Sequence, residues 1–238
     1  MGLLPDWSVV NGHRNDTTCM SFEAILWDMD GTLVDTERVV WDVMQGAFEE
    51  VLGFRMDEAL FANLLGQSEN DFFATVGRKF GFTSEQIEQV RELFNSDYVP
   101  ALQHVPPLPG ALDAVRHSHE RHPIALVTGS TRRQAIAVLD ALGLKPLFET
   151  IVACDHYKQG KPHPEPYLAA AKLLKASPDK CLAVEDSPAG IASARAAGMK
   201  VVAVHEGNKG KADTSAAHFE LPTLEVFNLD ELARELGA

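Results

Sequence analysis

Few features of this chain suit a secreted, membrane-spanning or nucleic-acid-binding protein. Its 3 cysteines, Cys19, Cys154 and Cys181, are odd in number and lack paired metal-ligand spacing. That argues against a disulfide framework and leaves reduced thiols and a cytoplasmic location as the expectation. No apolar run approaches the ~20 residues that a membrane-spanning helix requires. Basic residues are scarce: 21 Lys and Arg face 34 Asp and Glu, for a net charge of −13. Such an acidic surface repels nucleic-acid backbones and anionic membranes. A site for an anionic ligand must then supply its own local positive charge. Internal repeats and low-complexity tracts are missing too. Residues 1–21 carry Asp6, Asn11, His13, Arg14, Asn15 and Asp16 with no continuous apolar stretch. They read as an N-terminal extension rather than a secretory signal, with Met20 as an alternative start.

What is present is a chain of ordinary globular composition, 45% hydrophobic and 23% charged, long enough for one large domain with a smaller one inserted. Its most informative stretch is Ala24-Ile25-Leu26-Trp27-Asp28-Met29-Asp30-Gly31-Thr32-Leu33. A short apolar run ends in two carboxylates at i and i+2, followed by a glycine and a hydroxyl residue. The apolar part is a strand candidate, and Asp-Gly turns the backbone. Two such acids repel each other unless a cation or shared proton neutralises them. Asp-Gly between apolar runs also suits a β-hairpin, but Leu33-Val34 is a short return strand and Asp35-Thr36-Glu37 opens a helical pattern.

Three later segments share this form. Pro123–Val127 is an apolar run ending in Thr128-Gly129-Ser130, and Thr131-Arg132-Arg133-Gln134 then has the form of a capping box. Hydroxyls and free N–H groups at a helix N-terminus suit an anion, or simply cap the helix. Gly160-Lys161-Pro162-His163-Pro164-Glu165-Pro166-Tyr167 places three prolines around one lysine, and the stiff loop aims the ammonium of Lys161. Cys181–Val184 ends in Glu185-Asp186, after which Ser187 as N-cap and Pro188 start a helix that closes at Gly198. Asp186 could merely complement that helix dipole. Strand-end carboxylates recurring so far apart in the chain nonetheless fit a shared metal site better than two separate caps.

Strand-like runs at Ala24–Asp28, Ile124–Val127, Thr150–Ala153, Cys181–Val184 and Val201–Val204 alternate with helical patterns from residue 105 onward. Alternation of this kind predicts an α/β fold, a Rossmann-like parallel sheet covered by helices on both faces, with ligands at the carboxyl ends of the strands. Between Thr36 and Leu102 there is no convincing strand. Helical spacing instead runs through Val40, Val43, Ala47 and Val51, and through Ile87, Val90, Phe94 and Tyr98 behind the box Thr83–Gln86. The expected division is residues 1–21 as an extension, 22–36 and 103–238 as the core, and 37–102 as an inserted all-helical domain. His117, His119 and His122 fall at a helix end, where a solvated surface suits them better than a transition metal.

In this order the segments resemble the haloacid dehalogenase-like superfamily of phosphotransferases, over about Glu23 to Val204. Asp28-Met29-Asp30-Gly31-Thr32 is similar to its first motif, Thr128 to its second, Lys161 to its third and Glu185-Asp186 to its fourth. The inserted helices and the Lys-Pro-x-Pro loop resemble the group containing β-phosphoglucomutase and small-metabolite phosphatases. The resemblance implies Asp28 as nucleophile, forming an aspartyl-phosphate, and Asp30 as general acid and then base. It implies Thr128, Gly129 and Lys161 as phosphate-binding residues. Mg²⁺ would be held by Asp28, the Asp30 carbonyl and Asp186, with Glu185 adjacent or acting through water. The helical insertion becomes a cap, and Gly66, Gln67, Ser68, Glu69 and Asn70 its substrate-selecting loop.

Within the superfamily, dehalogenases lack the acid that stands here as Asp30. Phosphonate-cleaving relatives need a cap lysine, yet Arg55 is the only basic residue between Arg38 and Arg78. The mutase carries a histidine where Val40 stands and a basic pair where Leu65 and Glu69 stand. A phosphatase acting on a sugar phosphate or similar small phosphorylated metabolite is therefore expected, as a monomer. The alternatives are a phosphosugar mutase and, in another class, a non-catalytic phosphate-binding module. Arg132 and Arg133 either meet a substrate phosphate or face solvent.

Overall fold

The computed structural model describes residues 22–64, 69–207 and 212–237, without the side chains of Asn63, Glu69 and Asn70. The expected extension 1–21 and the loop residues Gly66, Gln67 and Ser68 lie outside the described residues. Among these, the sheet contains β1 (Ala24–Trp27), β2 (Ile124–Val127), β3 (Thr150–Val152), β4 (Cys181–Glu185), β5 (Lys200–Val204) and β6 (Phe219–Leu221). Their order is β3-β2-β1-β4-β5-β6, and every neighbouring pair is parallel. Five strands fall where the apolar runs predict them. The sixth, β6, has only three residues, one of them the exposed Glu220, so no apolar run announces it.

Among the described residues, four helices stand between β1 and the rest of the sheet: α1 (Thr36–Leu52), α2 (Glu58–Leu64), α3 (Glu69–Phe80) and α4 (Ser84–Leu102). The chain then alternates through α5 (Ala111–His119), α6 (Arg132–Ala141), α7 (Glu165–Leu174), α8 (Pro188–Ala196) and α9 (Leu229–Leu236). Period-2 alternation divides the strands between two layers. One face presents Ala24, Leu26, Ala125, Val127, Ala183 and Ala203 to Tyr167 and Ala170 of α7 and Ile191 and Ala194 of α8. Small side chains on both sides let these helices lie close to the sheet.

The opposite face presents Ile25, Trp27, Leu126, Leu182 and Val184 to Val115 of α5, Leu139 of α6 and Leu232 of α9. The same apolar cluster continues into Phe48, Phe73 and Val90 of the inserted helices. Phe48 stacks on Phe73 with centroids 6.2 Å apart, and Phe94 stacks on Tyr98 at 5.2 Å. No helix among the described residues is long and apolar enough to cross a membrane.

Register decides what meets at the carboxyl edge. Trp27 pairs with Leu126 on one side and Val184 on the other. Asp28, Thr128 and Glu185 therefore emerge together from three adjacent strands. Beyond them, α6 and α8 start from well-formed caps. Thr131 and Gln134 bond reciprocally as the sequence predicts, and Ser187 Oγ accepts from Gly190 N at 3.0 Å. Because the Thr131 cap seats the end of the Thr128–Ser130 loop, Thr131→Ala should cost about 1 kcal/mol. Urea unfolding checks this, and an unchanged midpoint would contradict it.

Candidate active site

The chain leaves the sheet directly after Trp27. Asp28 N still donates to Val184 O at 3.0 Å, and the backbone then turns so that Gly31 N donates to Val34 O. Gly31 adopts φ +83°, and a Cβ there would run into the Asp186 carboxylate. Only glycine allows that backbone together with so close an approach. Asp186 is thereby brought up against the loop that carries Asp28 and Asp30.

Lys161 is the centre of the arrangement. Its loop is braced from both sides: Glu165 accepts from Lys158 N and Gln159 N, and Ser193 Oγ of α8 donates to His163 O at 2.6 Å. The ammonium donates to Asp28 Oδ1 at 2.6 Å, Glu185 Oε1 at 2.5 Å and Val127 O at 3.1 Å. Its three protons thus reach the residue that follows β1, the end of β4 and the end of β2. With only 11% of the side chain exposed, water competes little for it.

Asp30 is held differently. Its Oδ1 accepts from Thr36 Oγ1 at 2.7 Å, and its Oδ2 from Thr128 Oγ1 at 3.0 Å and Ser130 Oγ at 2.9 Å. Hydroxyls donate and accept alike, so this cage can hold Asp30 with or without a proton. Glu185 is fully buried and engaged through both oxygens. Oε1 accepts from Lys161 and from Tyr167 OH at 2.7 Å, while Oε2 accepts from Ser187 Oγ at 3.1 Å and more weakly from Asp186 N and Ser187 N.

Asp28 Oδ2 is also buried but accepts no hydrogen bond from the described residues. Such an atom is costly unless something outside the protein completes it. Asp28, Glu185 and Asp186 each offer an oxygen, all within 4.8 Å of one another. Burial pushes the Asp28 carboxyl well above the ordinary carboxylate range, against the pull of Lys161, and Glu185, Asp186 and Asp30 add to the rise. Burial, then Glu185, pushes Asp186 up to about 7. Burial works against the Lys161 charge, but Asp28 and Glu185 outweigh it and hold the ammonium above the usual lysine range. One ammonium among so many acids leaves a deficit of positive charge. A hard divalent cation, whose ligands are carboxylate oxygens, fits this donor set.

The structure therefore brings together Asp28, Asp30, Thr128, Lys161, Glu185 and Asp186 from separate parts of the sequence. Gly129 lies exposed beside them. Arg132 is turned to the sheet margin, where its backbone N donates to Asp155 Oδ1 and its guanidinium to Ile151 O. Glu69 and Asn70 begin α3, their side chains outside the description. Thr36 and Tyr167 carry no signal of a role in the sequence, and Ser130 reads there only as part of a loop end. No spacing rule links Thr36 to Asp30 or Tyr167 to Glu185; folding alone joins them.

The haloacid dehalogenase-like hydrolase family model matches residues 25–204. The fructose-1-phosphate phosphatase of Escherichia coli K12 is 34% identical over 202 residues, 77% of this chain and 96% of its own. Hexitol phosphatase A of the same organism is 35% identical over 198 residues, 78% of this chain and 84% of its own. The crystal structure of a β-phosphoglucomutase from Clostridium difficile superimposes with a TM-score of 0.71 at 26% identity, covering 91% of this chain and 97% of that one.

A carboxyl raised in the folded state binds its proton more tightly there than when unfolded. The metal-free fold should lose stability as pH climbs from the ordinary value of 3.8 through about 7. A divalent cation should reverse the loss, because it binds the deprotonated acids. Thermal unfolding with and without Mg²⁺ should show a larger rise in midpoint above pH about 7 than well below it. Equal rises would contradict the assignment of these acids to a cation.

Proposed function

Because this chain belongs to the haloacid dehalogenase-like hydrolases and is a phosphoric monoester hydrolase, we propose that it is a Mg²⁺-dependent phosphatase working through an aspartyl-phosphate on Asp28, with a small phosphorylated sugar or polyol as substrate. The observation that carries this reading is the Lys161 ammonium bonded to Asp28 beside a second buried oxygen of Asp28 that accepts nothing from the described residues.

Asp28 and Asp186, with the Asp30 carbonyl, would hold Mg²⁺. When bound, the ion neutralises charge on the phosphoryl oxygens and on the acids around it. Lys161 keeps Asp28 oriented and meets the phosphoryl group. An Asp28 oxygen attacks phosphorus, the bond from phosphorus to the alcohol oxygen breaks, and the departing oxygen takes a proton from Asp30. Water then gives a proton back to Asp30 and attacks the same phosphorus. The Asp28–phosphate bond breaks, inorganic phosphate leaves, and the carboxylate is restored.

Thr36, Thr128 and Ser130 hold Asp30 where it can serve both steps. Thr128, already turned toward Asp30, would swing its hydroxyl to a phosphoryl oxygen, and Gly129 leaves the loop open there. Residues 37–102 serve as the cap over the core formed by 22–36 and 103–238, excluding water and choosing the substrate through Gly66–Asn70. Hydrolysis is favoured over a mutase reaction. Val40 is packed against the apolar cluster where the mutase has a histidine.

With a chromogenic phosphate ester and Mg²⁺, Asp28→Asn should lower kcat by at least roughly a thousandfold, as loss of a covalent nucleophile does elsewhere. Chelation of the metal should abolish turnover of the unaltered protein. Retained turnover in the Asn variant would overturn the nucleophile assignment, and metal-independent turnover the cofactor.

A further inference from the structure

We infer that Tyr167 is a positioning residue for Lys161, acting through the oxygen of Glu185 that the two side chains share; this rests on the role given to Lys161 above. Tyr167 lies wholly buried on α7, in the layer whose neighbours are Ala24, Ala125, Val127 and Ala183. That apolar layer would take a phenylalanine ring. A hydroxyl placed there is costly unless it is bonded, and it is bonded to Glu185 Oε1 at 2.7 Å.

The same oxygen takes Lys161 Nζ at 2.5 Å, and that nitrogen also lies 5.3 Å from the Tyr167 ring centroid. Glu185 has little freedom to answer in another way. Its other oxygen is held by Ser187 and by the backbone at the start of α8. Gly190 backs onto the carboxylate so closely that a Cβ there would overlap it. Oε1 is therefore fixed between two donors, and its negative charge is divided between them.

The Tyr167 hydroxyl absorbs part of the charge on Oε1, so Glu185 does not capture Lys161 outright. The ammonium stays shared with Asp28, where the chemistry is. The ring beneath it adds a favourable face. Burial, then Glu185 and Asp28, raises the Tyr167 phenol, so the hydroxyl stays a donor. Without it, Lys161 should move toward Glu185 and away from Asp28.

Tyr167→Phe, in the full chain with Mg²⁺, tests this. Expected is a fall in kcat of about tenfold, the scale of one hydrogen bond to a charged group. KM, the Mg²⁺ concentration for half-activation and the unfolding midpoint should stay near their original values. The ¹⁵N–¹H signal of the Lys161 ammonium, identified by its loss in Lys161→Ala, should shift or broaden in Tyr167→Phe without metal or substrate. Unchanged kcat with an unchanged signal would overturn the inference. So would a fall in kcat that only follows a lowered unfolding midpoint, since that marks a packing role. If the unaltered protein hydrolyses no phosphate ester, the proposed function fails, and the ammonium signal still decides whether Tyr167 positions Lys161.

Discussion

Lys161 places one positive charge, nearly out of water, between carboxylates that leave the sheet on different strands. Its three donors reach Asp28 just beyond β1, Glu185 on β4 and the Val127 carbonyl on β2. Removing two charges from water costs several kcal/mol per ion, and their attraction need not repay it. Such a cluster is a poor device for stability. It makes sense as a site held ready for chemistry, with the cost met by the apolar layers on both faces of the sheet. The register of three parallel strands brings the partners together, and the braced proline loop delivers the ammonium.

Around that centre, two kinds of control act on the two acids of the first motif. Asp28 is governed by charge: a lysine on one oxygen, neighbouring carboxylates, and a second oxygen that accepts nothing from the described residues. Asp30 is governed by hydroxyls, which can reverse their hydrogen bonds as a proton comes and goes. One of them, Thr36, begins α1, so the first inserted helix is tied directly to Asp30. Movement of the inserted helices over the core would thus be felt at the proposed acid–base group. This division matches the two roles proposed: Asp28 left with an oxygen open toward a cation, and Asp30 held in place by groups that can both donate and accept.

The motif residues were readable because each lies at an abrupt change in pattern, where an apolar run meets acids, hydroxyls or prolines. Asp28, Thr128, Glu185 and Asp186 follow this rule, and Lys161 stands out by its prolines. Capping boxes at Thr83 and Thr131 were equally plain, since their chemistry is local. The short strand β6 was not, because three residues beside the sheet margin need no apolar run. Tyr167, Thr36 and the aim of Ser130 were hidden for another reason. Their partners are set by tertiary geometry, and in sequence they read as a core ring, a helix start and a loop hydroxyl. Arg132 illustrates the converse: placed beside the second motif, it is occupied by Ile151 and Asp155 at the sheet margin.

On the proposed mechanism, Asp28 accepts the phosphoryl group while Lys161 holds it in place. Quenching the protein with borohydride during turnover of a phosphate ester reduces an acyl phosphate to the alcohol, and peptide mass spectrometry then finds the altered residue. Homoserine is expected at position 28, dependent on Mg²⁺ and less abundant in Lys161→Ala. Steady turnover with Asp28 unmodified, or modification of another residue instead, would contradict it.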